Sequence, residues 1–240
     1  FIVNAQDSSM FEGELVYTNF ENHSKIVRKL SSGMAYNGVR NICVIIKNNA
    51  DIHMIDETLH MHTLLLASQN KAIIYNDLIK EGQEFSYSAY VSTYLDVFAP
   101  DASSSDYHVE YNLGKTGETK EHLGKKCVVY KGQYIKGVYA TEYTPYTEVR
   151  TDLEIWAIAG DYSVYKSYWH TINGLQIPGY VAKYTYNQNG SLPLFGKLSS
   201  YVASELKEMN ARKVTDEEMS VPEGYKIKVS NSPFKVLKLY

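Results

Sequence analysis

The sequence predicts a mainly β protein whose strands pair antiparallel. Between residues 41 and 94, apolar runs of strand length alternate with short turn signals, a spacing typical of a meander, sandwich or barrel. These runs leave no room for the helices of about a dozen residues that parallel pairing needs. In residues 172–190, a turn rich in glycine and proline opens a strand with aromatic residues at alternate positions, and Asn189-Gly190 signals a hairpin. The 22 tyrosines also suit half-buried strands.

The first element is a strand from Phe11 to Phe20, in which apolar and acidic residues alternate. One face of this strand carries Phe11, Gly13, Leu15 and Tyr17. From Asn22 the apolar spacing changes to that of a helix, which we predict over 24–33. Asn22 or Ser24 serves as its N-cap, and Gly33 ends it.

Further strands are predicted along the first half of the chain, at 41–47, 51–57, 59–67, 72–78 and 85–94. Turns separate them at Asn48-Asn49, Gln69-Asn70 and Glu81-Gly82. Residues 99–106 form a polar loop, and residues 114–124 form a second turn-rich segment.

The second half is predicted to hold strands at 125–131, 152–159, 163–169, 226–229 and 234–240, with a hairpin turn at Gly160-Asp161. A short turn is expected at 216–219. Residues 198–214 stay ambiguous, because their apolar residues fit both a helix and a long charged edge strand.

Composition indicates one folded, β-rich domain over residues 11–240. The hydrophobic fraction of 44% is enough for a core, and no linker or internal repeat divides the chain. Residues 1–10 resemble the remnant of a signal peptide or a disordered N-terminus. A formal net charge of -3 without a basic stripe argues against nucleic-acid binding. No run reaches the roughly 18 apolar residues of a transmembrane helix.

Few residues suggest chemistry. His60 and His62 would share a strand face and His53 could oppose them, so the three are weak candidates for a metal site or a cross-strand histidine group. Cys43 and Cys127 either form a disulfide or are buried thiols. No nucleophile or nucleotide-binding motif is present, so we expect neither a catalytic residue nor a cofactor.

Aromatic side chains are the better candidates for a binding site. If their strand faces line a concave sheet, they form an apolar groove with hydroxyl tips, which is the usual form of a ligand site. The alternative is a packed core beneath the helix at 24–33. The candidate ligand-binding residues are Tyr90, Tyr94, Tyr165, Trp169, Tyr180, Tyr184 and Tyr186.

Four segments together resemble exported bacterial proteins of the GLPGLI type. These are Gly-Lys-Lys-Cys at 124–127, Leu-Glu-Ile-Trp at 153–156, Gly-Leu-Gln-Ile-Pro-Gly at 174–179 and the segment 216–226. The chain is also similar to proteins of unknown function that share the fold of the lipoprotein carrier LolA and its acceptor LolB. The resemblance covers mainly residues 114–228.

The resemblance implies a strongly curved antiparallel sheet, an open half-barrel with helical cover, whose hollow holds lipoprotein acyl chains in the carriers. It implies a location in the periplasm or at the outer membrane of a Gram-negative bacterium, or secretion. It supplies no catalytic residues, and it favours a strand over 205–214. We therefore expect an exported, non-enzymatic protein that binds an apolar or amphipathic ligand, such as a lipid or a lipoprotein acyl chain. The alternative is a structural module of the cell envelope that contacts a protein partner through tyrosine-rich surface.

Overall fold

The structure is a computed structural model of the 240-residue chain. It describes residues 11–30, 35–48, 51–90, 107–138, 140, 142, 145–158, 179–192 and 196–230. Several predicted features lie outside the described residues: the N-terminal remnant at 1–10, the helix stop at Gly33, the loop at 99–106, the strands at 163–169 and 234–240, and the hairpin turn at 160–161.

Thirteen strands make up most of the described chain, which confirms a mainly β fold. They are β1 Gly13–His23, β2 Gly38–Lys47, β3 Asp51–Asp56, β4 Met61–Leu66, β5 Lys71–Asn76, β6 Glu81–Ser86, β7 Tyr107–Tyr111, β8 Gly114–His122, β9 Lys125–Val138, β10 Thr147–Ile158, β11 Tyr180–Leu192, β12 Gly196–Ala211 and β13 Lys226–Val229. Two short helices, α1 Lys25–Leu30 and α2 Tyr87–Tyr90, and two 3-10 turns, Ala67–Gln69 and Glu217–Met219, complete the described elements.

All thirteen strands belong to one open sheet, in the order β13-β6-β5-β4-β3-β2-β1-β12-β11-β10-β9-β7, with β8 also paired to β9. Neighbouring strands are antiparallel except β13, which pairs parallel to β6. The fully antiparallel prediction is therefore wrong at this edge. The short spacing between strands excludes parallel pairing only for strands that are consecutive in the chain. Strands β6 and β13 are separated by more than half of the chain, so they can pair in parallel.

Strands β3 to β6 form a meander with a ten-residue period, six residues of strand and four of turn. The turns end at His60, Asn70 and Lys80, each in the left-handed region with φ between 52° and 54°. The predicted turn at Glu81-Gly82 is therefore wrong, because the third turn precedes β6. Leu78 and Ile79 are exposed turn residues, and their apolar character made this turn look like strand.

The second half of the sheet departs from the prediction in two places. Residues 114–122 form the edge strand β8 rather than a turn-rich segment, because their backbone pairs with β9 although their side chains are mostly exposed. The hairpin predicted at Asn189-Gly190 is also wrong. Gly190 pairs with Leu198 inside the sheet, and β11 continues to Leu192, which pairs with Gly196.

Strand β12 settles the ambiguity over residues 198–214. Residues Gly196–Ala211 are strand and pair with β11 on one side and β1 on the other. Helix α1 begins where the sequence predicts, with Ser24 as its cap: the Arg28 amide donates to the Ser24 carbonyl at 3.1 Å, and the Val27 amide to Ser24 Oγ at 3.5 Å.

Three apolar clusters hold the sheet together. The first runs from Leu15 and Tyr17 on β1 to Phe85 and Tyr90 near β6. The second lies between the meander and the segment that follows β12, which contributes Val214 and Met219. The third is built on β9 to β11. Burial of this kind stabilises a fold by about 25 cal/mol for each Å² of apolar surface removed from water.

The disulfide that the sequence left open does not form. Cys43 and Cys127 are both free. Cys127 lies in the first cluster, whereas Cys43 packs against the second. Burial raises the pKa of the Cys43 thiol to about 12 and also raises that of Cys127, so both stay protonated near neutral pH. Among the described residues, the structure contains no helix with the length and apolar character needed to cross a membrane.

Candidate functional site

One face of β1 is buried along the whole strand, and its chemistry changes halfway. Every second residue from Gly13 to His23 is buried. Leu15 and Tyr17 belong to the first apolar cluster. Three polar residues follow on the same face: Asn19, Glu21 and His23. We call this buried side the inner face.

Three polar side chains lie next to one another where the inner face changes from apolar to polar. Asn19 of β1 is the register partner of Arg40 on β2 and of Ser204 on β12. Register partners in antiparallel strands are about 5 Å apart at Cα. We call these three residues the polar row. Asn19 and Ser204 are each only 2% exposed.

Each member of the polar row has one buried atom without a hydrogen-bond partner in the part of the chain that the structure describes: Oδ1 of Asn19, Nε of Arg40 and Oγ of Ser204. Leaving a buried donor or acceptor unsatisfied costs about 1–3 kcal/mol. More than about 90% of such groups in native proteins have a partner. Three in one row of adjacent strands therefore indicate a place where a ligand or water completes the hydrogen bonds.

Beyond the polar row, the inner face is fully hydrogen-bonded. His23 Nε2 lies 2.9 Å from Glu21 Oε2, and His23 Nδ1 lies 2.7 Å from Ser200 Oγ. Because an ionised carboxylate only accepts, His23 carries its proton on Nε2 and Nδ1 accepts from the Ser200 hydroxyl. Burial, with a smaller effect of Arg28, lowers the pKa of His23, so the ring is neutral near pH 7.

Arg40 joins this network to the polar row. Its two terminal nitrogens donate to Glu21 Oε1 and, at 2.6 Å, to Asp56 Oδ2. The Arg40 guanidinium also lies 5.8 Å from the centre of the Tyr36 ring. Two carboxylates thus already balance its positive charge, and Nε is the Arg40 nitrogen without a hydrogen-bond partner among the described residues.

The Ser200–His23–Glu21 line has the order of groups with which hydrolases activate a serine. The neutral imidazole can accept the Ser200 proton. However, the Ser200 side chain is buried at 5% exposure, and Glu21 is also held by Arg40. The line is therefore well suited to fix the position of the polar row, because its three side chains hold one another by hydrogen bonds.

The predicted aromatic residues fall into separate places. Tyr94, Tyr165 and Trp169 lie outside the described residues. Tyr90 and Tyr180 are buried in the first cluster, whereas Tyr184 belongs to the third and the partly buried Tyr186 packs against it. Tyr180 does not share a face with the other two, because a register shift opposite Trp156 and Ala157 inserts Ala182 and breaks the alternation. The described members pack within these two clusters.

Tyr184 nevertheless adjoins the polar row, since it is the register partner of Ser204 on β11. Tyr186 lies opposite Val202, one step further along the same face. Burial raises the pKa of the Tyr186 phenol to about 12, so it is a neutral hydroxyl.

The structure brings two of the three candidate metal ligands together. His53 Nε2 is 2.9 Å from His62 Nδ1, and His53 Nδ1 is 2.6 Å from the Glu218 carbonyl. His60 is instead the exposed last residue of a turn, so it does not share a strand face with His62. The nitrogens of His53 face protein groups rather than a common ion, and the described residues include no group of three side chains suited to a metal.

The histidine pair ties the segment after β12 to the meander. His62 Nε2 lies 2.8 Å from Asp77 Oδ2, and the Tyr225 hydroxyl donates to the other oxygen of Asp77. Burial lowers the pKa of His53 to about 4. Partial burial disfavours ionised Asp77, but the hydrogen bonds from Tyr225 and His62 outweigh it and hold its pKa below the usual value. These hydrogen bonds stabilise the contact between the meander and the segment after β12.

Sequence reasoning missed every member of the polar row. The signal that was available is the continued alternation of β1: residues on the same face as Leu15 and Tyr17 extend to Asn19, Glu21 and His23. Polar residues on a buried strand face are informative, because burying them without partners is costly.

No protein-family model matches the chain, and no curated protein sequence matches it.

Proposed function

We propose that this chain is an exported, non-enzymatic binding protein that holds an apolar or amphipathic ligand along the inner face of its sheet. A lipid or a lipoprotein acyl chain is the ligand class that fits best. The proposal includes a strongly curved, LolA-like form of the sheet, with the inner face on its concave side, and a place in the periplasm or at the outer membrane of a Gram-negative bacterium.

The observation that carries the proposal is the change along β1 from apolar to polar at the polar row. Leu15 and Tyr17 are buried members of the first apolar cluster, and the next buried residue on that face, Asn19, is polar. An amphipathic molecule has the same sequence of properties from tail to head. Burying about ten methylenes would supply roughly 8 kcal/mol before the costs of association, so few polar contacts are needed.

Native mass spectrometry of freshly purified protein tests this proposal. We expect a co-purifying lipid, or saturable binding of a fatty-acyl probe to delipidated protein. Leu15→Asp, which places a charge in the apolar part of the inner face, should abolish binding if the variant folds. Leu123→Asp is a matched control, because Leu123 is an exposed turn residue between β8 and β9. Absence of lipid together with absence of probe binding would refute the proposal.

A second candidate function is an interaction module of the cell envelope, and one surface favours it. On the outer side of the same strands, Phe20, Val39 and Tyr201 are 43%, 58% and 38% exposed. Phe20 pairs with Val39 across β1 and β2, and its ring centre is 6.1 Å from that of Tyr201. Exposed apolar groups that cluster in this way often mark contacts with other proteins.

Cross-linking from this surface in the native envelope distinguishes the two functions. A photo-cross-linker at Val39 should capture one discrete partner if the module function is right, and adding Phe20→Ser should remove that capture without affecting acyl-probe binding. If no discrete partner is captured while the acyl probe binds, the binding function stands alone.

A further inference from the structure

The three atoms of the polar row that lack partners among the described residues differ in chemistry. Nε of Arg40 can only donate a hydrogen bond, Oδ1 of Asn19 can only accept one, and Oγ of Ser204 can do either. Because the three residues are neighbours in register across β2, β1 and β12, their side chains lie next to one another on one face of the sheet. A group that satisfies the row must therefore both accept and donate.

The charges around the row exclude a strongly anionic group. Arg40 is the cation of the row, and Glu21 and Asp56 already bind its two terminal nitrogens. A carboxylate or phosphate at the row would meet two carboxylates that share one guanidinium. It would also leave Asn19 Oδ1 without a donor, because an ionised carboxylate carries no hydrogen to give.

We propose that the polar row recognises an uncharged hydroxyl or carboxamide group at the polar end of an apolar ligand, and discriminates against carboxylates and phosphates. This inference rests on the proposed binding function and names the chemistry of its ligand. The group accepts from Arg40 Nε and donates to Asn19 Oδ1, and the Ser204 hydroxyl completes the contacts. The apolar chain then lies toward Leu15 and Tyr17 on the same inner face.

The His23 network holds the row in place for this role. Ser200 is fixed by its bond to His23 Nδ1, and Glu21 is fixed from both sides by His23 and Arg40. A site whose supporting groups are locked by hydrogen bonds loses less entropy when it binds. Since Asn19 and Ser204 are only 2% exposed, the side chains packed over them must move to admit the group.

Matched probes with one alkyl chain test the proposal. Binding of dodecanamide, 1-dodecanol, dodecanoate and dodecyl phosphate to delipidated protein is measured by titration calorimetry at a pH where the carboxylate is ionised. We expect dodecanamide and dodecanol to bind at least about tenfold more tightly than the two anions, a ratio that corresponds to about 1.4 kcal/mol.

Two variants locate the preference. Ser204→Ala removes one contact of the row and should reduce the preference for the amide over the carboxylate severalfold. Ser199→Ala is the matched control, because Ser199 is an exposed neighbour on the same strand, and it should leave the ratio unchanged.

The possible results separate the two proposals. Equal binding of all four probes, tighter binding of the anions, or a preference that Ser204→Ala does not alter would overturn the assignment of the polar row and leave the binding function standing. No binding of any probe would overturn both.

Discussion

Removing the hydroxyl of Ser204 should make the ligand-free protein more stable, which is the reverse of the usual effect of truncating a buried side chain. Ser204 Oγ is buried and has no partner among the described residues. Its desolvation therefore costs about 1–3 kcal/mol that Ser204→Ala recovers. After a small loss of packing, we expect a gain of about 1 kcal/mol, or about 2–4 °C in Tm for a chain of this size.

Ser200 provides the matched comparison on the same strand and the same face. It is also buried, but its hydroxyl is bonded to His23 Nδ1 at 2.7 Å. Ser200→Ala removes that bond and leaves the imidazole nitrogen without its partner, so it should cost about 1–3 kcal/mol. The two Ser→Ala variants should therefore differ in stability by about 2–4 kcal/mol, with opposite signs relative to the wild type.

Urea denaturation of delipidated protein at neutral pH measures this difference, with equal m values as the check that only stability has changed. If Ser204→Ala were as destabilising as Ser200→Ala, the Ser204 hydroxyl would have a partner in the ligand-free protein. The polar row would then be an ordinary satisfied part of the core, and the reasoning that makes it a binding site would be refuted.

Three further predictions concern pH, chemistry and packing. Because burial lowers the pKa of His53 from its ordinary 6.5 to about 4, the unfolded chain takes up this proton first, and stability present above pH 6.5 is lost as the pH falls. Between about pH 7.5 and about pH 5 the loss from this group is about 2 kcal/mol. His53→Asn should flatten the profile of unfolding free energy by that amount, and an unchanged profile contradicts the burial of the ring. A fluorophosphonate probe should not label Ser200, since it is buried; labelling that Ser200→Ala removes would reveal an enzyme. A Cβ at Gly132 would lie 2.4 Å from backbone of the β7–β8 junction, so Gly132→Ala should lower Tm. Gly137→Ala should be tolerated, because the three atoms nearest to its added Cβ all belong to the movable end of the Tyr146 ring, and equal Tm values for the two variants would contradict this account.

The sequence predicted the fold where local patterns determine it. Alternation identified β1, and the apolar run before Lys47 identified β2, because a strand's period of two is visible within a few residues. The predicted ends of strands were wrong where residues typical of turns lie inside a strand. Asn189-Gly190 has turn chemistry but lies inside β11, where the neighbouring strands provide partners for its backbone.

The candidate site was beyond local prediction for a different reason. Asn19 is adjacent to Arg40 and Ser204 only because β1 lies between β2 and β12, and this neighbourhood depends on the order of strands in the sheet. A period-two pattern predicts which residues of one strand share a face. It does not predict which distant strand supplies the partner, so the Ser200–His23 bond could not be read from sequence.

The expectation that three tyrosines of β11 share one face is wrong for Tyr180. Alternation places Tyr180, Tyr184 and Tyr186 on one face. The extra residue Ala182 breaks this alternation, so the Tyr180 side chain packs in a different cluster. A β-bulge of this kind depends on how two strands fit together. The proposed ligand face is therefore centred on β1, with Tyr184 beside it.

The most direct test of the central claim is nuclear magnetic resonance of the protein during titration with dodecanamide. The Nε–H of Arg40 and the side-chain amide of Asn19 give signals of their own, and each belongs to the polar row. We predict that both signals shift and saturate with the same dissociation constant that calorimetry gives, while the backbone signal of Ser199 stays in place. Saturable binding that leaves the Arg40 and Asn19 side-chain signals unmoved would contradict the account, because the ligand would then lie elsewhere.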